Sequence, residues 1–283
     1  MQTAERLAPY YKAALQEAAD RRLTESLASL EGRIAAQADE VRSFSGAVVA
    51  RAGVSVIAEH KRRSPSEGEI RPGSNIAWTV DQYRRGGAAA VSVLTQGEHF
   101  GGSVEDLSVA RVAMDLPILR KDFISDEYQL YQAKAYGADA VLLITGGLDD
   151  RQLRNLQVEA SGIGLDCLVE VHDEPELHRA LETTPNLLGI NNRDLTTLRV
   201  DRETTQRLAG LVPRGKGTFI VAESGYSVEE PEHLVELEQL GVEAVLMGTA
   251  LMRSDNPAKA LANWLCAPQI WKNHCILSTC REF

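Results

Sequence analysis

The distribution of apolar and polar positions divides the chain into two textures. Over residues 1 to about 47, Ala, Leu, Glu, Gln and Arg dominate, and Leu23, Leu27 and Leu30 recur at helical spacing. No proline interrupts between Pro9 and Pro65. This pattern predicts two or three helices before the first strand. From residue 54 short apolar runs alternate with amphipathic segments. The runs are Val54–Glu59, Ala89–Thr95, Pro117–Lys121, Ala138–Ile144, Asp166–Glu170, Leu187–Asn191, Thr218–Glu223 and Glu243–Gly248. Between them lie helical patterns at Ile76–Arg85, Val104–Ala113, Asp126–Tyr136, Asp149–Ala160, Glu174–Glu182, Arg202–Leu211 and Val228–Leu240.

The expected strand ends fall at about 59, 95, 121, 144, 170, 191, 223 and 248. Successive gaps of 21 to 36 residues each suit one loop, one helix and one strand of a parallel crossover. Eight such units predict an α/β fold, a (β/α)8 TIM barrel, with an N-terminal helical extension. The extension covers residues 1–47, the barrel 48–265, and an irregular tail 266–283. Two placements of the extension stay open, under the barrel or over its mouth. A doubly wound open sheet is the alternative fold, but it wants a glycine-rich turn after the first strand. Here that turn is Lys61-Arg62-Arg63-Ser64-Pro65-Ser66.

In a barrel, chemistry sits at the C-terminal ends of the strands. Those ends carry Glu59 and Lys61, Lys121, Glu170, Asn191, Glu223 with Ser224, and Gly248 with Thr249. Two positions back lie Ile57, Leu119, Leu168, Gly189, Val221 and Leu246, which suit the next layer of a packed interior. Singly, each strand-end charge reads as a solvated cap, and Arg193 with Asp194 as a surface ion pair. Together, two lysines, three glutamates and an asparagine at one end make a poor core and a good acid/base site. The turns after the last two strands, Glu223-Ser224-Gly225 and Gly248-Thr249-Ala250, suit phosphate. Glycine lets backbone N–H groups approach the anion there, and Ser64, after the first strand, lies within reach.

Composition narrows the partners. The chain has 283 residues, 30 Lys plus Arg against 40 Asp plus Glu, and a net charge of −10. That balance argues against sequence-independent nucleic-acid binding. No 18-residue apolar run predicts a membrane span, and the N-terminus has no signal-peptide layout, so a cytoplasmic protein is expected. Cys167 reads as a core thiol; Cys266, Cys275 and Cys280, near His274, match no standard zinc spacing. No metal or cofactor is expected.

The same segments resemble the indole-3-glycerol phosphate synthase family of tryptophan biosynthesis. The matching stretches are Ala58–Ser66, Phe100–Ser103, Leu119–Phe123, Gly137–Ile144, Leu168–His172, Gly189–Leu195, Ala222–Gly225 and Gly248–Met252, in family order. The resemblance implies a lyase acting on 1-(2-carboxyphenylamino)-1-deoxyribulose 5-phosphate, closing the pyrrole ring with loss of carbon dioxide and water. It implies Lys121 as the general acid on the ketone oxygen, Lys61 beside the departing carboxylate, and Glu170 handling protons in the second half. Which lysine acts in which step stays open. Glu59 and Asn191 would hold the anilino and hydroxyl groups, with Glu223 and Ser224 completing the pocket. Ser64, Gly225, Gly248 and Thr249 would take the phosphate, and Phe100, Phe123 and Arg193 the anthranilate side. The partner is then a small phosphorylated substrate, with a monomer or weak homo-oligomer as the working state.

Three features depart from the family pattern: His60, on the outward strand face, Tyr226 after Ser224-Gly225, and the tail from Trp264 onward. They leave a non-catalytic or specialised-metabolism paralogue as the alternative. A phosphoribosylanthranilate isomerase is the nearest enzyme rival, but it works through one Cys/Asp pair, and none stands out here.

Overall fold

A computed structural model of the protein describes residues 2–37, 42–215 and 217–267. Eight parallel strands close into a barrel: β1 (Ser55–His60), β2 (Ala90–Leu94), β3 (Ile118–Lys121), β4 (Ala140–Ile144), β5 (Asp166–Val171), β6 (Leu187–Asn191), β7 (Phe219–Glu223) and β8 (Ala244–Met247). Closure runs through β1, which pairs β8 on one side and β2 on the other. Each observed strand end falls within one residue of its expected place. The strands are buried on both faces, which is why they read as near-continuous apolar runs. Ile57, Leu119, Leu168 and Val221 are fully buried and form the layer beneath the mouth. No helix among the described residues is long and apolar enough to cross a membrane.

Both placements left open for the N-terminal extension occur. Helix α1 (Gln2–Arg22) overhangs the mouth, where Leu7 and Tyr10 line the cavity. Helix α3 (Phe44–Val49) straddles the expected boundary and closes the other end. It buries Phe44 and Val48, and the Ser45 N–H donates to Asp166 Oδ2, at the start of β5, at 2.8 Å. Helix α2 (Leu27–Ala35) packs on the side, where Leu30 meets Tyr128.

Leu23 does not continue the stripe of Leu27 and Leu30. It lies in a turn and is 86% exposed, because Ser26 caps the start of α2 by accepting from the Ser29 N–H. The segment expected as a helix over Val228–Leu240 is helical only from His233. Ser227 to Glu230 form a turn first, and Pro231 restricts the residue before it. A two-stranded hairpin, Arg63–Ser64 with Gly68–Glu69, and a short helix, Thr249–Arg253, were not foreseen. The expected tail lies outside the described residues from 268 onward, together with Cys275, Cys280 and His274.

Candidate active site

Five strands end in polar side chains that share one cavity of about 770 Å³: Glu59, Lys121, Glu170, Asn191 and Glu223. The other three contribute Leu94, Ile144 and Leu246 to its walls. Around the closed barrel the apolar ends of β2, β4 and β8 therefore stand between the polar ends of β1, β3, β5, β6 and β7, so charged side chains converge on the mouth over apolar spacers.

Lys121 is the hub of the charged groups. Its Nζ lies 2.5 Å from Glu223 Oε2 and 3.3 Å from Glu170 Oε2. Asn191 Nδ2 donates to Glu170 Oε1 at 3.1 Å. Across the mouth, Lys61 Nζ pairs with Glu59 Oε1 at 2.7 Å. Two glycines make room for these carboxylates. A Cβ on Gly189 would stand 2.3 Å from Glu223 Oε1, and one on Gly248 would stand 2.3 Å from Glu59 Oε1. Gly248 thus has a use besides the expected phosphate contact.

The charges hold one another in unusual states. Burial disfavours the Lys121 ammonium, but Glu223 and Glu170 outweigh it and raise its proton affinity. Burial also pushes the Glu223 carboxyl up, and the charge of Glu170 adds to this against the pull of Lys121. Burial acts the same way on Glu170, yet Lys121, His172 and Asn191 prevail and hold it below the usual carboxylate range. The site thus keeps a firmly protonated acid beside two carboxyl groups of unlike proton affinity, an arrangement suited to acid/base chemistry.

Neighbouring side chains fix the strand end that carries Lys121. Arg120 and Asp122 flank it in sequence and pair at 2.9 Å. Arg120 also donates to Thr95 Oγ1, the Gln129 carbonyl and Gln132 Oε1. Asp122 Oδ1 accepts the Phe123 N–H at 2.8 Å, aiming that ring at the cavity. Phe100 approaches Phe123 with centroids 5.9 Å apart.

The turns after β7 and β8 bring Ser224, Gly225, Gly248 and Thr249 to the opposite rim, and Ser64 comes to it from the hairpin. Ser224 has φ 64°, a left-handed backbone uncommon outside glycine and the kind of strain that collects at functional sites. Arg193 also lines the cavity, with its Nη1 donating to the Leu198 carbonyl at 2.9 Å. All fourteen residues expected at the site therefore line one cavity.

Three contributors escaped the sequence reading. Tyr10, from α1, stacks on Phe123 at 5.1 Å with planes 14° apart. The Arg62 guanidinium holds Asp106 and the Gly101 carbonyl, tying the loop after β1 to the loop after β2. His172, one residue past β5, lies against Glu170. Only His172 had a signal, its place two positions beyond a strand-end glutamate.

The sequence model of the indole-3-glycerol phosphate synthase family matches residues 6–264. A protein of that name from Parafrankia sp. is 46% identical over 242 residues, covering 86% of this chain and 88% of its own. Another, from Nocardioides sp., is 49% identical over 210 residues, 74% of this chain and 79% of its own. Among solved structures, a thiamine phosphate pyrophosphorylase from Pyrococcus furiosus superposes with a TM-score of 0.56 at 17% identity, covering 75% of this chain and 94% of its own. KGPDC from Streptococcus mutans does so with a TM-score of 0.56 at 13% identity, covering 76% and 96%. These two share the fold alone. With a sequence match spanning nearly every described residue and relatives close to half identical, the chain belongs to the indole-3-glycerol phosphate synthase family.

Proposed function

We propose that this cavity closes the indole ring, converting 1-(2-carboxyphenylamino)-1-deoxyribulose 5-phosphate into indole-3-glycerol phosphate, carbon dioxide and water. The observation that carries this reading is Lys121, held between Glu170 and Glu223 at the mouth of the barrel. The ring carbon bearing the carboxylate attacks the ketone carbon, and Lys121 gives its proton to the ketone oxygen. The carboxylate then leaves as carbon dioxide, restoring the aromatic ring. Lys61 pairs with that carboxylate before it leaves. In the second half the new hydroxyl leaves as water, with Lys61 supplying a proton and Glu170 taking the one released.

The remaining residues bind. Phe100 and Phe123 give the anthranilate ring an apolar wall, with Arg193 beside it. Glu59 and Asn191 hold the anilino nitrogen and the sugar hydroxyls, and Glu223 with Ser224 completes the pocket. Ser64, Gly225, Gly248 and Thr249 take the phosphate. Every group this scheme needs comes from one chain, which fits a monomer or weak homo-oligomer, and a cytoplasmic setting suits a phosphorylated substrate. The test is genetic. The wild-type chain should rescue a tryptophan auxotroph that lacks this ring closure, and Lys121→Ala should not. Failure of the wild-type chain, expressed and folded, would overturn the reading.

A further inference from the structure

His172 has no part in the scheme above, yet it sits between two buried carboxylates. Its Nε2 lies 3.1 Å from Glu170 Oε1, an ion-pair contact. Its Nδ1 lies 3.0 Å from Glu176 Oε2, and its backbone N–H donates to that same oxygen at 3.0 Å. Only 8% of the His172 side chain is exposed. Glu176 is equally enclosed, and its own N–H is held by Asp173 Oδ1 at the start of the helix Glu174–Leu181.

Each ring nitrogen therefore faces a carboxylate oxygen. A neutral imidazole would turn one lone pair toward a negative charge, whereas the imidazolium presents a donor to both. Burial opposes the charge, but Glu170 and Glu176 prevail and push His172 up to about 10. The other ionisable groups around it are Asp194 in the loop after β6 and Tyr11 of α1, whose proton affinity burial, Glu170 and Glu176 raise further.

We propose that His172 is a positioning residue for the ring closure: as an imidazolium clamped by Glu176, it holds Glu170 ionised and aimed at the substrate. Lys121 alone does not do this, because it sits closer to Glu223 than to Glu170. His172 and Asn191 both bear on Oε1 of Glu170, leaving Oε2 toward Lys121.

The inference rests on Glu170 acting as proposed, and the test separates the two. Product formation is followed in the intact protein carrying His172→Gln, Glu170→Gln or both, with folding checked by circular dichroism. Glutamine keeps a donor but carries no charge. His172→Gln is expected to lower kcat about 10-fold or more with little change in KM. In the Glu170→Gln background the same change is expected to cost nothing further, because His172 acts through Glu170. An equal loss in both backgrounds would overturn the inference. A slow Glu170→Gln with a wild-type His172→Gln would overturn it while sparing the role of Glu170. A Glu170→Gln enzyme at wild-type kcat would remove that role and the inference with it. Nitrogen-15 spectra of the wild-type histidines decide independently of any variant. One histidine should stay doubly protonated at about pH 8.5, well above the ordinary value, and its titration as an ordinary neutral ring would contradict the clamp.

Discussion

Lys121 leaves the end of β3 between two carboxylates, Glu223 at 2.5 Å and Glu170 at 3.3 Å. Lys61 stands just past β1 with one, Glu59 at 2.7 Å. Both side chains are largely enclosed, with 14% and 17% exposure, so burial does not separate them. Their company does. Lys121 is compensated twice and held by the rigid end of a strand, which suits a group that must be protonated and in place before the substrate arrives. Lys61 shares a single carboxylate and sits where the strand gives way to a loop, so it can still meet an incoming anion. In the proposed scheme, a mouth with only one of these settings would either fail to protonate the ketone or fail to receive the carboxylate.

The comparison breaks first at Lys121. Lys121→Ala should lower kcat by roughly 10²–10⁴-fold, the worth of a positioned general acid, with little change in KM. Steady-state kinetics followed by indole fluorescence checks this. Next comes the rim near Lys61 that is proposed to take the phosphate. Thr249→Asp should raise KM on the order of 100-fold through like-charge repulsion, with kcat changed far less. An unchanged KM would remove Thr249 from phosphate binding.

A finer test uses the two glycines. Gly189→Ala must push Glu223 away from Lys121, and Gly248→Ala must push Glu59 away from Lys61. Displacing a group that sets the acid should cost kcat roughly 10-fold or more. Displacing Glu59 should instead raise KM, since Glu59 and Gly248 bind substrate in the proposed scheme, and should lower kcat less, since Lys61 gives its proton only in the later dehydration. Equal effects from both alanines would mean the two lysines do not divide the work.

The smallest effect concerns His60, which lies between Glu59 and Lys61 in sequence but points outward. Its Nε2 is 3.0 Å from Ser74 Oγ, and burial together with Arg62 lowers its pKa to about 4. Between about 6.5 and 4 the unfolded chain binds the proton and the folded chain does not, so stability rises with pH there. His60→Gln should flatten that part of the curve, by about 1.4 kcal/mol per pH unit at most. Urea midpoints across the window measure it. An unaltered curve would show that His60 titrates normally.

How much of this was legible in the sequence depended on whether local pattern or distant contact decided the outcome. Strand ends could be placed to within a residue because period-two alternation and the apolar layer beneath Glu59, Lys121 and Glu223 are local. The charged ring followed from those ends. Tyr10 could not be foreseen, since its partner Phe123 lies more than a hundred residues away, and nothing in α1 marks the face that overhangs the mouth. The turn at Leu23 was hidden because an exposed leucine continued the helical spacing by coincidence. The helix starts at His233 and not at Val228 because the turn from Ser227 to Glu230 and Pro231 come first, while the apolar spacing runs on through them.

The central claim is that the charged mouth makes indole, and does not merely hold a phosphorylated ligand. The most direct measurement incubates the wild-type protein with 1-(2-carboxyphenylamino)-1-deoxyribulose 5-phosphate and follows indole fluorescence while released carbon dioxide is counted. Fluorescence should rise over many turnovers, with equal amounts of carbon dioxide and indole product. Saturable binding of that compound with no fluorescence and no carbon dioxide would contradict the account and leave a barrel that binds the ligand without turning it over.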